Sequence, residues 1–303
     1  MPLCTAPVHG WPSRYVLIPA VCILAFPSDN AICRPSRPCN PTSDMFDDKH
    51  THAEEEQFLR RQYDALVDRL AMKIEKSESR DKTLLALHIG THELDNGELA
   101  WYRSLAIETG GVVRAILLEP QESLIGRLRR RIVRALGTIN GTTVINAALC
   151  LDEASLTLHC PSSRLHSDFP GYRIGKSDIT KLCSPSKEFV TRMLSVNQID
   201  GAGPVDPYVD SFLVPCLTPS GLLRETGLEP GDIDIFVMDT EGHDTQLLPS
   251  FLDMAGLRPS LLQFEHRNQR LSSIVTRWVV RELHARGYTI FRHSVDIVAI
   301  LGD

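Results

Sequence analysis

No two cysteines in this 303-residue chain stand at Cys-x-x-Cys spacing, and no histidine follows at zinc-finger distance. No structural metal site is therefore expected. The eight cysteines, at 4, 22, 33, 39, 150, 160, 183 and 216, are too few for a disulfide scaffold in a chain of this length. Cys150, Cys160 and Cys216 fall in predicted strands, where a thiol reads as a small buried hydrophobe. The apolar run from Tyr15 to Phe26 is broken by Pro19 and closed by Pro27. It falls short of the roughly 20 residues a helix needs to cross a bilayer, so no spanning segment is expected. Excess positive charge is lacking too. A net charge of −6 gives no electrostatic reason to bind nucleic acid or an anionic membrane. What remains is an ordinary globular composition, 43% apolar and 23% charged, long enough for one large domain or two modest ones.

Residues 1–44 hold many prolines and four cysteines and do not read as part of a domain. Arg14 followed by the apolar run has the build of a signal peptide, although no small-x-small cleavage pair follows. A targeting signal, leading to the secretory pathway or an organelle, and an unstructured extension of a cytoplasmic protein both stay open. Asn140-Gly141-Thr142 is a glycosylation sequon, usable only on the first of these routes. Residues 45–82 form a helical extension, in which Leu59, Tyr63, Leu66, Leu70 and Ile74 recur at three- and four-residue steps. Too few heptads are present for a coiled coil, so this stripe is expected to lie on the domain at 83–303.

Within 83–303, strands and helices alternate. Strands are expected at 84–89, 113–118, 143–148, 155–159, 212–216, 233–238 and 261–264, and as a closely spaced pair at 288–292 and 296–301. Helices are expected at 98–109, from Leu124 to Leu136, and at 220–226, 244–254 and 272–285. In the second of these, Arg127, Arg130, Arg131 and Arg134 read as a solvated outer face. Residues 160–210, rich in Ser, Pro and Gly with one helix near 187–194, read as an insertion or lid over the active face. Repeated strand–helix–strand units require a mostly parallel sheet with helices on both faces, an α/β fold. The final pair, separated by so few residues, can only be an antiparallel hairpin.

Ligands in such sheets bind beyond the carboxyl ends of the strands, where strand order reverses. The residues at those ends are His88-Ile-Gly-Thr-His92, Glu119, Ala147-Ala148, Asp239-Thr-Glu-Gly-His243 and Glu265-His266. Gly90 would allow close backbone approach to a ligand, and Glu119 could accept hydrogen bonds from ribose hydroxyls. A dinucleotide fingerprint, Gly-x-Gly-x-x-Gly, is missing from 88–97, which argues against a dehydrogenase. Asp239, Glu241, His243 and His266 fall at no recognised metal-ligand spacing, so no metal is expected.

Taken in order, these segments resemble the FkbM family of S-adenosylmethionine (SAM)-dependent methyltransferases. The stretch His88 to Asn96 is similar to the family's first motif, Leu117-Leu-Glu-Pro-Gln121 to its second and Val144-Ile-Asn-Ala-Ala148 to its third. Val214-Pro-Cys-Leu-Thr218 resembles the segment leading into its fourth strand. Asp239-Thr-Glu-Gly-His-Asp244 is similar to its most specific signature, and Phe264-Glu-His-Arg267 to the motif after its fifth strand. The likeness covers about residues 84–301. It departs at His88, where the family usually has an acid, at the glycine a few residues later, which is replaced by Leu94 or displaced to Gly97, and at Pro219-Ser220, where Leu-Asp is common.

The resemblance implies a Rossmann-like class I methyltransferase sheet and methyl transfer from SAM to a hydroxyl of a sugar or small metabolite. It implies cofactor contacts at His88, Gly90, Glu119, Ala148 and Asp239. Asp239, Glu241 and His266 become the catalytic candidates, with His266 as base. The competing expectation is an inactive methyltransferase-like binding or interaction module, since a fold alone does not carry function.

Overall fold

The computed structural model describes residues 32–33, 52–76, 82–94, 98–136, 141–152, 154–169, 182–196, 206–266, 272–293 and 296–302. Eleven strands and eight α-helices alternate among them. They begin with β1 (Ile32–Cys33), α1 (His52–Lys76), β2 (Thr83–Ile89), α2 (Glu98–Thr109), β3 (Val112–Leu118), α3 (Glu122–Leu136), β4 (Thr143–Ile145), β5 (Ala148–Leu149) and β6 (Ser155–Pro161). Next come α4 (Arg164–Asp168), α5 (Lys187–Val196), β7 (Val209–Leu217), α6 (Pro219–Thr226), β8 (Ile235–Met238) and α7 (Asp244–Leu252). The chain closes with β9 (Leu261–Glu265), α8 (Ser272–Ala285), β10 (Tyr288–His293) and β11 (Asp296–Leu301).

The main sheet runs β1-β10-β11-β9-β8-β2-β3-β4. Its block from β4 to β9 is parallel, while β11 is antiparallel to both β9 and β10. The expected α/β fold with an antiparallel C-terminal hairpin is therefore present, and the hairpin's second strand slots between β9 and β10. Of residues 1–44, only Ile32 and Cys33 are described, and they pair with Phe291 and Ile290 at the sheet edge. The apolar run and the rest of that segment lie outside the described residues, as does Asn140 of the sequon.

Two apolar layers sandwich the sheet, because alternate strand residues point to opposite faces. On one side Leu84, Ala86, Leu117 and Val237 pack with α1, α2 and α3. On the other, Leu85, Leu87, Ile89, Phe236 and Met238 pack with α6, α7 and α8. Leu66, Leu70 and Ile74 of α1 are buried in the first layer, so the amphipathic extension is part of the domain core. Lys73 of α1 is ion-paired with buried Asp234, whose other oxygen accepts the Leu85 N–H at 2.9 Å. That contact ties the helix to the starts of β2 and β8.

Two expectations need correction. The single strand read at 143–148 divides at Asn146, whose side-chain amide donates to the Glu119 and Pro120 carbonyls at 2.9 and 3.0 Å. The chain then leaves the main sheet, and β5 joins β7 and β6 in a separate three-stranded sheet. Cys150, Cys160 and Cys216, read as small buried hydrophobes, are instead disulfide-bonded, as Cys150–Cys216 and Cys160–Cys183. In the segment read as a lid, α5 packs Phe189, Val190 and Leu194 against Leu165 of α4. A two-way backbone pairing of His159 with Ser184 holds residues 183–185 beside β6.

Candidate functional site

Strand order reverses between β2 and its neighbours β3 and β8, and a cavity of about 320 Å³ opens at their carboxyl ends. A volume of this size lies at the lower end of small-ligand pockets. Its polar lining includes Thr91, His92, Glu119, Asp239 and Glu241. Apolar lining comes from Leu149, Leu156, Leu158, Cys183 and Pro185, in and around the disulfide-bonded second sheet.

Of the residues singled out in the sequence, His88, Gly90, Glu119, Ala148, Asp239 and Glu241 all line this cavity. His266 follows β9 and is absent from the described lining. His88 is almost fully buried, and its Nδ1 lies 3.1 Å from the Tyr102 hydroxyl of α2. Burial lowers its pKa to about 3, so the imidazole is neutral at all physiological pH values. It therefore brings no charge to the cavity.

Gly90 is required for a reason other than ligand approach. Its φ is +77°, and a Cβ there would stand 1.7 Å from the Asp239 carbonyl oxygen. It is the end of β8 that comes too close for a side chain.

Glu119 holds the cavity's shape as well as lining it. Its Oε2 accepts the His92 N–H at 2.6 Å and its Oε1 the Gln121 N–H at 2.8 Å. A carboxylate offers about four acceptor positions, so capacity for a ligand's donors remains. Burial pushes its pKa up to about 7 against the opposing effect of those two hydrogen bonds, with Asp239 adding to the rise.

A second carboxyl group of residues gathers at the ends of β8, β9 and β11. Asp244 is fully buried and accepts the Thr240 N–H and hydroxyl at 3.1 and 2.8 Å, closing the turn after β8. Glu265 stands opposite Asp296 across the β9–β11 pair. Burial, followed by the charge of Asp239, raises Glu265 to about 10 and Asp296 to about 7. Among the described residues no group of three or more His, Cys, Asp or Glu is placed to hold a metal ion, and no helix is long and apolar enough to cross a membrane.

These carboxyls set a pH dependence whose sign is fixed. A carboxyl with a raised native pKa stays protonated in the fold where the unfolded chain has released its proton, so stability falls as pH rises through that window. His88, with a lowered pKa, acts oppositely but only below about 6.5. Stability should therefore fall between pH 6.5 and 8, by about 2 kcal/mol or about 5 °C in Tm. Melting curves at the two pH values check this, and Glu265→Gln should flatten the difference. A Tm that rises over the same interval would show that these groups are ionised without cost.

Sequence reasoning named His243 among the strand-end residues without giving it a catalytic or cofactor role, and it missed Cys183, Pro185 and Glu93. His243, which precedes α7, lines the cavity, and burial lowers its pKa. Cys183 and Pro185 form wall from a segment read only as a lid. Glu93 is nearly buried, with Oε1 2.6 Å from Arg127 and Oε2 3.1 Å from Arg131. Those two arginines keep about two fifths of their side-chain surface exposed while pairing with Glu93. Their four-residue spacing on one helix face was the available signal. No protein-family model, no curated protein and no solved structure matches the chain.

Proposed function

We propose that this chain is a SAM-dependent methyltransferase that methylates a hydroxyl of a sugar or other small metabolite. The observation that carries the reading is the cavity at the point of strand reversal, lined together by Gly90, Glu119, Ala148, Asp239 and Glu241 from segments far apart in sequence. The strand order supports it, since the inserted antiparallel strand agrees with the class I methyltransferase sheet that the motif resemblance implies. The donor set fits the cofactor: carboxylates suit a sulfonium cation, and Glu119 retains acceptor capacity for ribose hydroxyls.

SAM supplies an electrophilic methyl group when bound; the chain supplies orientation, worth up to about 7–11 kcal/mol in favourable cases. In this proposal Glu119 binds the ribose, Asp239 lies beside the sulfonium, and Glu241 accepts from the acceptor's hydroxyls. The proton is taken by a histidine. His266 is the residue the family resemblance points to, but His243 lines the cavity and is held neutral, which favours it. The two disulfides suit an oxidising compartment and favour the targeting reading of the N-terminus.

The test is incubation of the purified chain with methyl-labelled SAM and a panel of glycans and small hydroxylated metabolites. Label is expected in at least one acceptor. A chain that binds SAM and labels none across the panel would favour the binding-module reading.

A further inference from the structure

We propose that Glu93, clamped between Arg127 and Arg131, is a positioning residue that holds the loop after β2 in its ligand-binding shape. The inference rests on the reading of the cavity as a SAM site. The loop from Gly90 to Leu94 supplies Gly90, Thr91 and His92 to the cavity lining. It does so with backbone that side-chain-bearing residues rarely adopt, since His92 has φ +47° and Leu94 φ +50°. Such conformations persist only where surrounding contacts over-determine them.

Three contacts do so here. The His92 N–H donates to Glu119 at 2.6 Å, the Leu94 N–H to the Thr91 carbonyl at 3.0 Å, and the Leu94 side chain is buried in the core. Glu93 stands between the two left-handed residues, and each of its carboxylate oxygens faces a different guanidinium of α3. Both arginines keep about two fifths of their side-chain surface exposed while Glu93 is buried, so the pairing stays partly solvated at its cationic end. Glu93 itself does not line the cavity. It acts through the backbone it fixes, which places His92 against Glu119.

The test compares the parent with Glu93→Gln, with the Arg127→Gln/Arg131→Gln double variant and with Arg127→Lys/Arg131→Lys. Amide hydrogen exchange at residues 91–94, SAM affinity by calorimetry and Tm are read on each. In Glu93→Gln and in the double Gln variant, exchange in the loop should quicken ten-fold or more. SAM binding should weaken about ten-fold, and the KM for SAM should rise by a larger factor than kcat falls. The double Lys variant should recover most of both losses. The clamp is overturned if Glu93→Gln and the double Gln variant leave loop exchange at the parental rate. It is equally overturned if exchange quickens across the whole domain in step with Tm. Should Glu93→Gln not fold, the double Gln variant decides the same question. Should the parent itself not bind SAM, the proposed function fails while loop exchange still decides the clamp.

Discussion

Replacing Gly90 by alanine is expected to cost the domain its fold rather than merely its ligand. The new Cβ would meet the Asp239 carbonyl oxygen at 1.7 Å and its carbon at 2.7 Å, both backbone atoms with no rotamer to move. The residue would also have to hold φ +77°, which costs an L-amino acid about 1–2 kcal/mol. Relief requires β8 to part from β2, where the Asp239 N–H donates to the Ile89 carbonyl at 2.9 Å. The combined loss should reach about 4 kcal/mol or more, a large share of the 5–15 kcal/mol that holds a typical domain. Thermal melting and soluble yield read this directly. A variant melting at the parental temperature would mean that the β2–β8 edge is looser than described.

Replacing His243 by alanine should lower turnover about 100-fold while SAM affinity is preserved, general-base contributions being about 10²–10⁴. A base must be unprotonated at working pH and within reach of the acceptor. His243 lines the cavity, and burial lowers its pKa, which keeps the ring in its accepting form. Its place before the first turn of α7 acts in the same direction, because a helix N-terminus disfavours an imidazolium. The acid limb of the kcat–pH profile should therefore fall below 6.5. His266→Ala should keep turnover within a few-fold of the parent. Were the two variants to exchange these behaviours, the base would be His266 and the assignment to His243 would be wrong.

Much of the fold was legible because local signals agreed with tertiary placement. Buried strands such as Leu84–Ile89 and Leu261–Phe264 are short apolar runs closed by Gly90 or by Glu265-His266. The brief gap before Asp296 leaves a hairpin as the single geometric option. That His88, Gly90, Glu119, Ala148, Asp239 and Glu241 would meet around one cavity was legible for the same reason, as strand ends in a parallel sheet converge on one edge, whereas His266 is absent from the described lining.

What was not legible depends on partners distant in sequence. Nothing in the spacing of Cys150, Cys160, Cys183 and Cys216 marks them as pairs, since the bridges span 66 and 23 residues and meet only after β5, β6 and β7 assemble. Asn146 reads as strand interior until its amide is seen holding the turn after β3. Gly90 was visible as necessary, but its reason was Asp239, just after β8 and well over a hundred residues away. Leu94 shows a conflict that sequence alone cannot weigh. Left-handed backbone disfavours it, while burial of its side chain, worth about 1.5–3 kcal/mol, retains it.

The central claim is that the cavity between the ends of β2, β3 and β8 takes SAM, and calorimetric titration of SAM into the parent and Glu119→Ala tests it most directly. The parent should bind at a single site. Loss of Glu119 should weaken binding at least ten-fold, because hydrogen bonds to a charged group contribute about 1.5–3 kcal/mol each. Part of that loss should come from the loop, as the His92 N–H also loses its acceptor. No heat with the parent, or equal affinity in the two proteins, would contradict the account.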